Sequence, residues 1–352
     1  MGHHPLSPPT LATSALVQIG EWTNRTLVLP VVIFFPTSRC NSRCVSCDWW
    51  MSAGADDLSL VEIQTLADAL PGLGTRLVLF SGGEPLLRPE VFDAAVRFRQ
   101  KGLTLHLHTS GVLLERHATQ VARHFERVIV SLDAPTERLY QAIRGVAALA
   151  TVERGVALLR RLAPATSVTA RSTIHRLNYR ELPRLIDHAK AMALDGISFL
   201  PADVSSLAFG RERPVRSEAL ALGPSEVAEL SDIVEETILS HQDDFTTGFV
   251  QESPEKLRRL PQYYAALGGL ADFPRVSCNA PHMSVVIEAD GAVRPCFFHD
   301  AIGSIRREPL ATIIATHLPA FRSGWSVEQS PVCRRCVCSM RTTWRSAPWA
   351  GH

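Results

Sequence analysis

Val31-Val32-Ile33-Phe34-Phe35-Pro36-Thr37-Ser38-Arg39-Cys40-Asn41-Ser42-Arg43-Cys44-Val45-Ser46-Cys47 joins an apolar run to three closely spaced thiols. Residues 31–35 read as a strand, because β-branched and aromatic side chains suit a pleated, buried surface. Working outward, the same unit recurs. Strands are expected at 76–80, 103–108, 127–132, 167–174 and 196–200. Helices are expected between them at 59–70, 89–101, 113–124, 151–162 and 179–193. Ser59 followed by Glu62 is a capping-box start, and Gly102 is a helix stop. Alternating strands and helices imply βαβ units and a parallel sheet. Six units are too few for a closed eight-stranded barrel. The expected fold is therefore α/β, a partial (β/α)6 TIM barrel over residues 30–200.

Three further regions are expected around it. Residues 1–29 are rich in Pro and Ser and read as an irregular lead-in. Residues 201–277 form a helical connector, with helices at 225–241 and 254–267. Residues 278–345 form a cysteine-rich β-hairpin module, in which 284–288 and 293–296 flank the Asp290-Gly291 turn.

The 352 residues include eight cysteines, and these are clustered. Three lie within 40–47 and five within 278–338, with none between. Such clustering in a chain this long suits metal or redox chemistry better than a disulfide framework. Charge is nearly balanced, 36 basic residues against 35 acidic. No strong field steers the chain to nucleic acid or a membrane surface. No apolar run approaches the ~20 residues of a spanning helix, and the N-terminus lacks a secretory pattern, so a cytoplasmic protein is expected.

Cys40, Cys44 and Cys47 can ligate three corners of a four-iron cluster and leave the fourth iron free for a ligand. A zinc site is the alternative, although zinc favours paired C-x₂-C units. Ser81-Gly82-Gly83-Glu84-Pro85 follows the second strand. Its glycines allow close backbone approach to a ligand, and Glu84 offers an acceptor.

Together, C-x₃-C-x₂-C and the GGEP stretch, each at a strand end, resemble the radical S-adenosylmethionine (AdoMet) superfamily over residues 30–200. The resemblance implies a catalytic [4Fe–4S] cluster on Cys40, Cys44 and Cys47 that chelates AdoMet. It implies one-electron cleavage to a 5′-deoxyadenosyl radical, and hydrogen abstraction from substrate. It assigns Gly82, Gly83 and Glu84 to the methionine amino group. Ser131 and Asp133 after the fourth strand, and Arg171 on the fifth, fall where AdoMet contacts usually lie. So do Thr109-Ser110-Gly111, Ser172 and Leu200-Pro201. The family usually has an aromatic residue just before the third cysteine; here Ser46 stands there, and Trp49 or Trp50 is expected to supply the missing wall. Every one of these motifs falls at the carboxyl end of its strand, the active-site face of parallel barrels.

The C-terminal set resembles the twitch domain, the shorter relative of SPASM. It implies one auxiliary [4Fe–4S] cluster held by Cys278, Cys296, Cys333 and Cys336, with Cys338 able to replace either of the last two. The family's range then gives the expected chemistry: oxidation, epimerisation or rearrangement of a small-molecule or natural-product substrate. A ferredoxin or flavodoxin is the expected electron donor. A peptide maturase forming crosslinks is the alternative. About 39 residues precede Cys40, too few for a leader-peptide-binding domain. The ending Pro348-Trp349-Ala350-Gly351-His352 lacks the paired glycines of the molybdopterin-precursor cyclase. A non-enzymatic zinc protein is the rival from another class. His106 and His108 share a strand face toward the barrel interior; His175 is a candidate base, and Tyr263 and Tyr264 read as packing.

Overall fold

Strand β1 (Val31–Phe34) is buried at every position and lies near the middle of the sheet. In the computed structural model it is flanked by β2 (Leu77–Phe80) on one side and β7 (Ser284–Ile287) on the other, both parallel to it. Residues 11–211 and 217–341 are described; His3, His4, residues 212–216 and the 342–352 tail lie outside them. Beyond β2 come β3 (Thr104–Thr109), β4 (Arg127–Ser131), β5 (Ser167–Ile174) and β6 (Gly196–Pro201), each parallel to its neighbour. On the other side, β8 (Ala292–Arg294) and β9 (Gly303–Ser304) add antiparallel pairs. The sheet order is β6-β5-β4-β3-β2-β1-β7-β8-β9. This is the expected partial barrel. The C-terminal hairpin, though, is stitched onto β1 and extends the same sheet instead of standing apart.

The outer helices are α2 (Leu60–Ala69), α3 (Val91–Gln100), α4 (Leu114–His124), α5 (Glu137–Arg144), α6 (Leu149–Leu162) and α7 (Leu182–Ala191). Ser59 and Glu62 make the predicted reciprocal cap on α2. Phe34, Phe80 and Phe98 stack edge-on or tilted beneath them at 5.4–5.7 Å, sealing sheet to helices. The connector holds α8 (Ser217–Leu220), α9 (Pro224–Ser240), α10 (Gln242–Thr246), α11 (Pro254–Leu257) and α12 (Arg259–Leu267). Tyr264 donates to the Ile174 carbonyl at 2.5 Å and receives the Ala202 amide, so it is a fully satisfied packing residue, as expected.

Two α-helices before residue 200 differ from the sequence reading. Residues 1–29 are not all irregular: α1 spans Leu11–Thr23. Its Ser14, Val17 and Gln18 are buried one turn apart, and Pro5, Pro8 and Pro9, which gave the lead-in its irregular reading, all precede it in sequence. From α1, Glu21 pairs with Arg341 at 2.7 Å and accepts from Asn279. The second difference is α5, whose inward face is only Tyr140 and Ile143. Among the described residues no helix is long and apolar enough to cross a membrane.

Candidate active site

The Cys40–Cys47 loop leaves β1 at the carboxyl end and is held by backbone bonds on three sides. Gly83 and Glu84 donate their amides to the carbonyls of Thr37 and Arg39, at 3.2 and 2.7 Å. The Arg43 and Val45 amides donate to Arg144 and Ile143 at the end of α5. Asp48 donates to the Phe209 carbonyl at 3.0 Å, and Arg211 reaches the Ser46 carbonyl. Asp57 fastens the loop entrance by accepting from the Thr37 hydroxyl and from the Ser38 amide and hydroxyl. A Cβ on Gly83 would stand 2.1 Å from the Arg39 carbonyl oxygen, so the GGEP backbone and the thiol loop touch only because that residue is glycine.

These elements enclose a chamber of about 240 Å³. Cys40, Cys44 and Cys47 line it, with Gly82, Gly83, Ser131, Asp133 and Arg171 opposite. Thr109, Ser110 and Leu200 also line it. Glu84 does not, and this corrects the expectation that it offers a free acceptor. Its carboxylate is fully buried and accepts from the Thr109 hydroxyl and the amides of Ser110 and Leu86 at 2.7–3.1 Å. With three of its roughly four acceptor positions engaged, it acts as a strut between the ends of β2 and β3. Asp133 is likewise engaged, accepting from Arg144 at 2.9 Å and from the Thr173 amide at 2.8 Å. Trp49 lines the chamber, packed edge-on against Phe35, while Trp50 faces outward under Arg43. Ser172 and His175 are fully buried and line neither this chamber nor the one beside the C-terminal thiols. The His175 Nδ1 accepts from the Leu177 amide, and its buried Nε2 has no hydrogen-bond partner.

Residues missed in the sequence complete the wall. Arg144 and Arg211 bring two cations beside the thiols; Arg211 is also paired with buried Asp203 at 3.0 Å. Phe209, in a left-handed backbone conformation (φ 66°), stacks on Phe297 and meets Phe298 edge-on. The α5 sequence ERLYQAIR, closed by Gly145, carried a readable helix signal; Phe209 carried none.

The C-terminal thiols line a second chamber of about 230 Å³. Cys278 precedes β7, Cys296 follows β8, and Cys333 lies in α15 (Pro331–Arg334), reached through α13 (Leu310–Thr312) and α14 (Leu318–Ser323). N–H groups already point at the sulfurs. Trp325 donates to Cys333 at 3.2 Å, with His299 at 3.3 Å, and Cys338 and Ala280 donate to Cys336 and Cys278. Arg334 and Arg335 are exposed, Arg335 lying over Phe273.

All eight thiols are free. Burial pushes Cys40 up to about 11 and Cys47 and Cys296 to about 12, and raises Cys44, Cys278 and Cys336 as well. A buried thiolate is costly without a cation, and iron supplies one. Among the described residues, no three His, Cys, Asp or Glu side chains gather around a single-ion site. Thiols ringing a chamber, with N–H donors aimed at sulfur, form a donor set that fits an iron–sulfur cluster.

Comparison with known proteins agrees. Residues 34–189 match the radical SAM superfamily. Residues 278–337 match SPASM, an iron-sulfur cluster-binding domain. The Fe-coproporphyrin III synthase of Methanosarcina barkeri is 27% identical over 318 residues, 81% of this chain and 73% of that protein. A GTP 3',8-cyclase of Caulobacter vibrioides is 32% identical over 45% of this chain and 48% of its own length. In fold, the chain resembles anSMEcpe with bound AdoMet, with TM-score 0.62, 18% identity, and 90% and 92% of the two chains covered. It also resembles Streptococcus suis SuiB bound to S-adenosylmethionine, with TM-score 0.62, 12% identity, and 92% and 75% covered.

Barrel, thiol loop and matches together define a radical SAM domain over residues 34–189. Beyond it, the chain carries a C-terminal SPASM domain. Its cofactors are accordingly a [4Fe–4S] cluster, AdoMet and an auxiliary iron–sulfur cluster.

Proposed function

We propose that the protein is a radical enzyme that removes hydrogen from a small-molecule or natural-product intermediate and so oxidises, epimerises or rearranges it. Cys40, Cys44 and Cys47 would hold the catalytic cluster. Cys278, Cys296, Cys333 and Cys336 would hold the auxiliary one, with Cys338 able to replace either of the last two. When bound, the first cluster and AdoMet supply one-electron cleavage of the sulfonium and hydrogen-atom abstraction.

The observation that carries this reading is the continuity of the two chambers. They share Leu79, His108, Arg171, Phe297, Phe298 and Cys338 in their walls. A substrate between them would face both cofactors. Gly82 and Gly83 let Phe35 and the Arg39 carbonyl pack directly on the backbone, which brings it to the chamber wall beside the thiols. Ser131 and Arg171, paired in register, present a hydroxyl and a cation from adjacent strands. Asp133 holds Arg144 in place beside the thiols. Phe209, Phe297 and Phe298 exclude water where a reactive species would form.

A small-molecule substrate is supported by the relative matched over most of the chain, which is named for Fe-coproporphyrin III. We further propose a cytoplasmic location, which keeps the thiols reduced, and a ferredoxin or flavodoxin as donor. Anaerobically purified protein should contain about eight irons per chain, two four-iron units. With dithionite and AdoMet it should release 5′-deoxyadenosine, and Cys44→Ala should not. Zinc without iron would select the structural-metal rival. Acceleration of release by peptides and not by small molecules would select the maturase reading.

A further inference from the structure

We propose that the floor of the barrel seats the charged end of the substrate: Arg127 and His106 receive a carboxylate or phosphate group of a molecule whose remaining body is apolar. This rests on the proposed function and names the substrate class for the same site.

The two residues are cross-strand partners. His106 on β3 lies in register with Arg127 on β4, and strand alternation turns both to the barrel interior. Both line the second chamber, whose wall also holds Arg171 and His108 and, among its described residues, no Asp or Glu. The rest of that end is uncharged: Ile33, Leu77, Leu79 and Ile129 supply apolar surface, and Thr169, Ser198 and Gln251 add neutral polar groups.

Neither residue has a partner of its own. His106 is 4% exposed, and its Nε2 has no hydrogen bond. Arg127 makes no hydrogen bond or ion pair among the described residues, and its buried Nε is unsatisfied. Asp195 is the nearest influence on its charge, but Asp195 is already gripped by two nitrogens of Arg160 and by the Val168 amide. An unpaired guanidinium and imidazole facing a cavity are costly to bury. A ligand oxyanion satisfies both at once: bidentate on the arginine, and accepting one ring N–H from a histidine that burial and Arg127 keep neutral.

Balancing the auxiliary cluster is the other task open to these cations, and the structure disfavours it. The charges felt by Cys278, Cys296 and Cys336 are one another and the neighbouring thiols, with no arginine among them. The charge acting on Arg127 is Asp195 and that acting on His106 is Arg127, with no thiol among them. From Arg127 the cavity runs past His108 and Arg171, which is held by Ser198 at 3.2 Å, into the Cys40–Cys47 chamber. A substrate anchored at the floor would present its far end to AdoMet.

The test uses the protein with both clusters and AdoMet bound, titrated calorimetrically with three probes of one shape: 1-naphthoate, 1-naphthyl phosphate and 1-naphthamide. At least one anion should bind ten-fold or more tightly than the amide, and the tighter anion names the oxyanion. Arg127→Gln should reduce that preference to about two-fold, and Arg127→Lys should restore part of it, with iron content unchanged in both. Equal binding of anions and amide, or no binding of any, overturns the proposal. So does a Gln variant that keeps the preference, or one that sheds iron, which would assign Arg127 to the cluster. Failure of the parent reading shows separately, as absent 5′-deoxyadenosine release from the unmutated protein.

Discussion

Cys40, Cys44 and Cys47 come from one eight-residue loop, whereas the five C-terminal cysteines are gathered from three segments spread over 61 residues. The first set is positioned by short-range geometry: a strand end, the GGEP backbone and the end of α5. The second depends on long-range assembly. β7 must pair with β1, and α1 must dock against residues 279 and 341. Arg322 carries much of that docking. It is 5% exposed and donates to the Asn24 side chain and carbonyl, the Thr26 hydroxyl and the Pro281 carbonyl. The contrast teaches that the first thiol set is carried by one barrel loop, with later segments only completing its wall, whereas the second exists only once the whole chain closes on itself.

The largest effects should come from the thiols. Cys44→Ala should remove about four irons and all 5′-deoxyadenosine release, while Cys278→Ala should remove a similar amount of iron yet leave AdoMet cleavage without substrate in place. Iron analysis beside product chromatography reads both; equal loss of cleavage in the two variants would break the comparison. Next comes Gly83→Ala, whose methyl group collides with a backbone carbonyl of the thiol loop. It should cost about 3 kcal/mol and release first-site iron, seen by denaturant melts and iron content.

Arg322→Ala should act on the other half. It strands buried carbonyl and hydroxyl acceptors, should cost about 2–3 kcal/mol, and should free auxiliary iron before barrel iron on mild heating. Acid supplies a smaller handle on the barrel floor. Burial and Arg127 push His106 down to about 3, so the folded imidazole stays neutral while the unfolded one gains a proton below its ordinary 6.5. The unfolded state then binds more protons, and stability is lost as pH falls, by about 2 kcal/mol between pH 6.5 and 5. His106→Gln should flatten that part of the pH profile. The smallest effect is expected from Glu62→Gln, which weakens the α2 cap and the bond to Arg306 for about 0.5–1 kcal/mol, read as a slightly lower Tm.

Legibility in the sequence followed the same division. Six strands and the first thiol loop were readable because their signals are local: β-branched runs, glycines at strand ends, a cap such as Ser59 with Glu62. α5 was not read, although ERLYQAIR closed by Gly145 carries a local helix signal; it is short and buries only Tyr140 and Ile143. Arg144 and Arg211 owe their place beside the thiols to partners far along the chain, Asp133 and Asp203 among them for pairing and the thiol loop for position. The β1–β7 pairing joins residues some 250 apart, and no local pattern encodes it. Glu84 was read by type as a ligand group, and its three internal hydrogen bonds became visible only once Thr109 and Ser110 were brought to it.

The central claim is that two four-iron units are present and that only the one on the Cys40–Cys47 loop has an iron open to AdoMet. Mössbauer spectroscopy of the iron-57-labelled protein, with and without AdoMet, addresses it directly. Addition of AdoMet should change the signal of about one-eighth of the iron, one site in eight, and leave the rest unchanged. A spectrum indifferent to AdoMet, or a protein that takes up zinc in place of iron, would contradict it.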